Sequence, residues 1–311
     1  MQHLPFDKPG HFWKGNLHTH CTQSDGRLTT EQVRQKYQEA GYDFVAITNH
    51  FTQRYNYPIT AVRHLCTDDF TMLTGAELHV PTTEMGEVWH IVAVGLPMDF
   101  VPPLKTETGV ETGPEIAKRA VAAGAYVTIA HPNRCVMTEG DAHTLGPVHA
   151  IEIYNGGSHD ENDRADSWAY LDVLTGRGKR YFAQASDDFH GLPYRNDFGM
   201  GWVHVKSESL APDALLTALK AGHFYASTGP EIHDITVIPG EKISIKCSPA
   251  NSIFVAGNRA RAQRIHGDGI TEAEFNLSSF PSPYCRVTVR TDDGKRAWSN
   301  PIELQEGWFK A

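Results

Sequence analysis

The chain is poor in cysteine, in basic runs and in long apolar stretches. Its five cysteines, Cys21, Cys66, Cys135, Cys247 and Cys285, lie far apart, are odd in number and form no Cys-x-x-Cys pair. That argues against a disulfide framework and suits free thiols in a reducing compartment, so a cytoplasmic location is expected. No apolar run approaches the roughly 18 residues that span a bilayer. Residues 1–15 lack the basic start and apolar core of a secretory signal, so no membrane association is expected. Lys and Arg number 28 against 37 Asp and Glu, a net charge of −9, and no Lys/Arg run occurs. A nucleic-acid partner is therefore disfavoured.

Histidine is what the chain has in excess, with 17 in 311 residues. It is the commonest metal ligand and a proton shuttle near neutral pH. The count acquires meaning only if the fold gathers some of these side chains.

The length suggests about two domains. Over residues 1–228 short apolar runs alternate with amphipathic stretches. Residues 12–17, 44–48, 71–78, 88–95, 126–130, 150–154, 181–185, 202–206 and 224–227 read as strands. Thr29 and Gln32 are spaced as a capping box opening one helix, and Gly113-Pro114 opens another. Residues 163–174 and 212–221 read as further helices. No Gly-x-Gly-x-x-Gly follows the first strand, which weighs against a dinucleotide fold. The expected fold is α/β, a distorted (β/α)7-type TIM-like barrel. Residues 229–311 carry strand patterns without helices between them, which predicts a small all-β sandwich-like domain packed on the barrel.

In such a barrel, chemistry sits past the strand ends. The first strand ends in Asn16-Leu17-His18-Thr19-His20, where two histidines at i and i+2 project to one side. Others end in Asn49-His50, Ala76-Glu77, Ala130-His131 and Asp187-Asp188-Phe189-His190. His90 stands near the start of its run, and Asp25 lies in the Ser24-Asp25-Gly26 turn. One such histidine means little, but five strand ends repeating imidazole or carboxylate predict a metal site. Imidazole with carboxylate suits Zn, Mn or Fe. So many donors predict two to three divalent ions, an arrangement that serves hydrolysis by a metal-bound hydroxide.

These motifs, His-x-His with Ser-Asp-Gly, Asn-His, Gly-Ala-Glu, His-Pro and Asp-x-His, stand in the order of the PHP (polymerase and histidinol phosphatase) family, which the chain resembles over residues 12–227. The tail, with Asp293-Gly294-Lys295 and Ala297-Trp298-Ser299-Asn300-Pro301-Ile302, resembles a carbaryl-hydrolase-like subgroup. The resemblance implies a trinuclear site. One ion would take His18, His20, Glu77 and Asp188, a second Asp25, His50 and His190, and a third Glu77, His90 and His131, with Glu77 bridging. Asp25 stands where some members have His, and Asn49 where Asp is frequent.

Beyond the ligands, Arg134 is a candidate clamp for phosphate or carboxylate, with an exposed loop arginine as the plain alternative. Arg54 and Arg195 are weaker candidates of the same kind. Tyr154 and Asn155 end a strand and are expected to face substrate. Asp187 and His159 are candidate proton donors, solvated loop positions being the alternative. His79 and His143 are candidates for positions behind the ligands. The expectation is a phosphoesterase acting on a small phosphorylated molecule. A hydrolase of carbamate, ester or amide bonds is the runner-up, and a non-catalytic or nucleic-acid-associated PHP module a third reading.

Overall fold

The computed structural model describes residues 4–107, 109–146 and 148–309. Residues 1–3 and 310–311, at the outer ends of the two expected domains, lie outside the described residues. The main strands of the first region are β1 (His11–Asn16), β2 (Phe44–Ile47), β3 (Thr71–Val80), β4 (Trp89–Val94), β5 (Tyr126–Ile129), β6 (Ala150–Asn155), β7 (Phe182–Ser186), β8 (Trp202–Ser207) and β9 (Phe224–Ser227). The helices are α1 (Thr30–Glu39), α2 (Gly113–Ala122), α3 (Glu139–Thr144), α4 (Gly156–Asn162), α5 (Trp168–Gly176) and α6 (Pro212–Ala221). The Thr29 hydroxyl accepts from the Gln32 amide while the Gln32 side chain accepts from the Thr29 amide, so the expected capping box forms.

The strands hydrogen-bond in the order β7-β6-β5-β4-β3-β2-β1-β8-β9. The β1–β2, β2–β3, β5–β6 and β6–β7 pairs are parallel. The β3–β4, β4–β5, β1–β8 and β8–β9 pairs are antiparallel. This corrects the expected (β/α)7 barrel. The protein is mixed α/β, mostly sheet with few helices, and the sheet is not closed. Among the described residues no ladder joins β7 to β1, and a single parallel bridge, Thr19 to Phe189, spans that gap at the rim. The His20 amide donates to the Phe189 carbonyl at 2.8 Å there, which draws the His-x-His segment to the Asp-x-His segment.

Beneath the rim lies an apolar interior to which several strands contribute, with Leu17, Phe44, Leu73, Val92, Tyr126, Val203 and Phe224 all buried. At roughly 1.5–3 kcal/mol per buried large side chain, this packing rather than local propensity holds the strands in register.

After β9 come β10 (Ile232–Ile238), β11 (Lys242–Gly257), β12 (Ala262–Asn276), β13 (Tyr284–Arg290) and β14 (Arg296–Ser299). They extend the same hydrogen-bonded path, because β9 pairs antiparallel with β14. Asn300 accepts from the Ala183 amide and donates to the Gly222 and Phe224 carbonyls, satisfying backbone groups at the base of β7 and β9. Trp298 packs 6.3 Å from Tyr154 and 6.2 Å from Trp168, and the Arg286 fork grips Asp172. The tail motif is therefore used for packing. Among the described residues no helix is long and apolar enough to cross a membrane.

His204 on β8 shows how burial sets a charge state. It stacks on Tyr225 at 4.8 Å, and its Nε2 accepts from Trp202 Nε1 at 2.9 Å. Burial, helped by the nearby Lys14 charge, pushes its pKa down to about 3. A lowered folded pKa gives stability that is whole above the free value of 6.5 and lost as pH falls toward the folded value. His204→Gln keeps an acceptor for Trp202 but cannot titrate. Between pH 6.5 and 4.5 the variant should lose roughly 2–3 kcal/mol less stability than the native chain in denaturant melts. Equal losses would show that His204 does not carry the effect.

Candidate metal centre

Every predicted ligand arrives at the same rim. His18 and His20 follow β1 and are wholly buried. The next turn packs on them, and a Cβ at Gly26 would sit 2.5 Å from the His20 carbonyl carbon, so only glycine closes it. His50 follows β2 and pairs in register with Glu77 on β3. Asn49 beside it is a buried clamp: its carbonyl accepts from the Cys21 amide and Ser24 hydroxyl, and its NH2 donates to Thr60. A carboxylate could not make that last bond. His90 begins β4, and β4 runs antiparallel to β3 with His79 opposite His90. The start of β4 thus lies beside the end of β3, so His90 reaches the site from the beginning of its run. His131 follows β5, and Asp188 and His190 follow β7.

Glu77 is the hub. Its carboxylate lies within 3.7 Å of His18, His20, His50, His79, His90 and His131. Asp188 Oδ1 lies 3.2 Å from His18 Nε2 and 3.1 Å from His20 Nε2. Asp25 lies 3.2 Å from His50 Nε2, 3.6 Å from His190 Nε2 and 3.8 Å from His20 Nδ1. His190 Nδ1 donates to the Asp188 carbonyl at 2.8 Å, which leaves Nε2 facing Asp25.

The donors converge in groups of the size that holds an ion: His18, His20 and Asp188; His18, Glu77 and His131; His20, Asp25, His50 and His190; and His50, Glu77 and His79. His18 Nε2, His20 Nδ1 and Glu77 Oε2 are buried without any hydrogen bond. Glu77 Oε2 is 2.7 Å from His50 Nδ1, but the approach lacks hydrogen-bond geometry. Buried polar atoms left unpaired cost about 1–3 kcal/mol each. Ligand atoms crowded around shared space, three of them with no hydrogen bond, are what a cation binding site requires, so these residues fit divalent ions.

The charges agree. Burial opposes ionisation of Glu77, yet His50 and the other histidines around it hold its carboxyl well below the ordinary range. Burial likewise opposes Asp188, and His18, His20 and His190 overcome it. Burial pushes His20 and His90 down to about 3, whereas against burial the surrounding acidic groups hold His18, His50, His131 and His190 above the ordinary imidazole range, so a cation binding there would displace protons. His131 and Asp188 hold the left-handed backbone, φ 28° and 53°, a conformation that costs a non-glycine residue about 1–3 kcal/mol and clusters at functional sites.

The predicted ligands other than His18 and His20, which lie beneath, line a pocket of about 400 Å³ together with Arg54, Tyr55, Arg134, Glu161, Tyr194 and Arg195. Arg134 Nε donates to Glu161 at 3.1 Å, and Arg195 Nη2 lies 3.4 Å from the same carboxylate. Arg54 and Arg195, weak candidates in the sequence, thus stand on the same wall system as Arg134.

Other candidates lie elsewhere. Asp187 is buried behind the rim and accepts from Tyr37 and from the Gly199, Met200 and Gly201 amides, which anchors the 199–201 loop. Burial pushes its carboxyl up to about 6, but it does not line the pocket. His159 is exposed on α4 and Tyr154 packs against Trp298; neither lines the pocket. Asn155 is buried, and its NH2 lies 3.3 Å from Asp188 Oδ2. His79 meets the ligands directly, whereas His143 sits exposed beside Arg177 and Glu139. The sequence reading missed Glu152 and Glu161. The signal for Glu152 was a carboxylate in the middle of a strand that reads as buried.

No protein-family model matches the chain, and no curated protein matches it in sequence. Solved structures do resemble it. A two-domain Bacteroides vulgatus protein containing a predicted PHP-like metal-dependent phosphoesterase is 15% identical, with a TM-score of 0.49 over 94% of this chain and 97% of that one. A Bifidobacterium adolescentis protein assigned as a metal-dependent phosphoesterase is 13% identical, with a TM-score of 0.41 over 58% and 89%. An amidohydrolase from Chromobacterium violaceum, with bound sulfate and no metal, is 16% identical, with a TM-score of 0.39 over 57% and 87%. Likeness at this level carries no argument about function, and nothing in it singles out the carbaryl-hydrolase-like subgroup.

Proposed function

We propose that the chain is a metal-dependent hydrolase of small phosphoesters. The observation that carries this reading is the shared pocket: carboxylates and imidazoles with the unpaired Glu77 Oε2 on its floor, and Arg54, Arg134 and Arg195 on its walls. His18, His20, Asp188 and Glu77 would hold one ion, Asp25, His50 and His190 a second, and Glu77, His90 and His131 a third, as Zn, Mn or Fe. Bound divalent ions supply an acidified water and neutralise charge on the oxygens of the reacting group.

The chain's own residues bind and orient. Arg134 and Arg195 share Glu161 on one wall, and with Arg54 they leave it net cationic, which favours a dianion over a neutral carbonyl; two phosphoryl oxygens would take the planar Arg134 fork in place of Glu161. Asn155 steadies Asp188 from behind. A volume of about 400 Å³ suits a small molecule, and the net charge of −9 opposes a nucleic-acid substrate.

The test pairs a metal count on purified protein with rates on an aryl phosphomonoester, an aryl phosphodiester and an aryl carbamate. Phosphoester turnover should exceed carbamate turnover. Arg134→Ala should raise KM for the phosphoester about 10–100-fold with kcat little changed, as for loss of a charged hydrogen bond. Faster carbamate turnover would assign carbonyl chemistry instead. Bound metal without turnover would make the chain a non-catalytic module.

A further inference from the structure

Glu152 on β6 is wholly buried beneath the candidate metal centre. Its Oε1 lies 3.2 Å from His18 Nδ1. Its Oε2 accepts from the His131 amide at 2.9 Å and from Asn155 Nδ2 at 2.8 Å. The same Asn155 NH2 lies 3.3 Å from Asp188 Oδ2. One carboxylate therefore reaches three candidate ligands: the ring of His18, the left-handed backbone of His131 and, through Asn155, the side chain of Asp188.

We infer that Glu152 is a positioning residue that fixes the proton of His18 on Nδ1, so that the Nε2 lone pair is presented to the metals. The reason is acceptor count. A carboxylate accepts at both oxygens, and here both are used. A glutamine has one acceptor. If its oxygen turned to the two donors of His131 and Asn155, its NH2 would face His18 Nδ1. His18 would then have to accept there and carry its proton on Nε2, where it blocks ligation. The opposite orientation would set the NH2 against two buried donors at once, which is the costlier arrangement. Carboxylates behind metal-binding histidines typically contribute roughly 10–100-fold to metal affinity.

The consequence for metal rests on the proposed metal centre, whereas the proton position does not. The experiment uses the full chain with Glu152→Gln, His18→Asn, the double variant and Glu152→Asp. ¹⁵N NMR of histidine-labelled, metal-free protein reads His18, assigned by its loss in His18→Asn, at a pH high enough that its ring carries a single proton. Nδ1 should be protonated in the native chain and in Glu152→Asp, which keeps two acceptors, and unprotonated in Glu152→Gln. Zn²⁺ titrated against a chromophoric chelator should bind roughly 10–100-fold more weakly to Glu152→Gln. The double variant should bind no more weakly than His18→Asn alone, since both changes remove one ligand. A protonated Nδ1 in Glu152→Gln, or losses that add in the double variant, would overturn the inference. If the native chain binds no Zn²⁺, the metal reading fails while the Nδ1 measurement still decides the role of Glu152.

Discussion

Glu77→Gln should lower phosphoester hydrolysis by about 10²–10³-fold or more and reduce the metal bound per chain. The substitution keeps the shape and removes the charge at the one position where six imidazoles meet. Binding at any single histidine can be shared among its neighbours. Glu77 has no such substitute, since Asp188 and Asp25 serve the flanks. The metal-free variant should also be less stable, by about 3–5 kcal/mol at neutral pH, because a buried carboxylate is lost from among groups it compensates. Glu77 ionises in the folded chain well below its free value of 4.5, so its contribution is whole above that pH and fades as pH falls through the folded value. The deficit should therefore shrink in acid. Metal analysis, rates and denaturant melts check the three effects, and a variant with native metal content and native rate would refute the role of Glu77 as bridge.

Chelation should abolish activity and lower stability together, and both should return with added Zn²⁺ or Mn²⁺. An ion that binds only the folded chain stabilises it by about 4 kcal/mol per site at a free concentration roughly 1,000 times Kd. The effect should be large here because the metal-free site leaves His18 Nε2, His20 Nδ1 and Glu77 Oε2 buried and unpaired. Thermal melts with and without a chelator, followed by readdition of the ion, measure it. Full activity with less than one ion per chain would end the metal reading, and an unchanged melting temperature would show that these atoms are satisfied without metal.

Much of the site was legible because ligand chemistry leaves short marks at strand ends. His18, His20, His50, His131, Asp188 and His190 each follow an apolar run, and the run itself predicts the strand that carries them. His90 broke the rule because a strand's direction is not written in its own residues. Only the antiparallel pairing of β3 with β4 brings the beginning of that run to the rim. Helix α4 escaped notice because its Gly156-Gly157 start shows no apolar period, although a Cβ at Gly157 would press on Asp188 at 3.1 Å. The strand β12 is faint in the sequence because both of its faces are largely exposed and polar, leaving little alternation to detect.

By itself the sequence determined the main strands of the first region and four of its six helices, the capped start of α1, and which residue types could hold a metal. The reason is local: periodicity, caps and donor chemistry act over a few residues. The tertiary structure decided the rest. It left the sheet open, with one bridge between Thr19 and Phe189 instead of a closed barrel, and it ran β9 into β14. It turned Asp187 away from the pocket and gathered Arg54, Arg134 and Arg195 onto its walls. It also set Glu152 under His18, 134 positions earlier in the chain. Those outcomes depend on strand direction and on contacts between distant segments, which packing of the shared core fixes and no local pattern encodes.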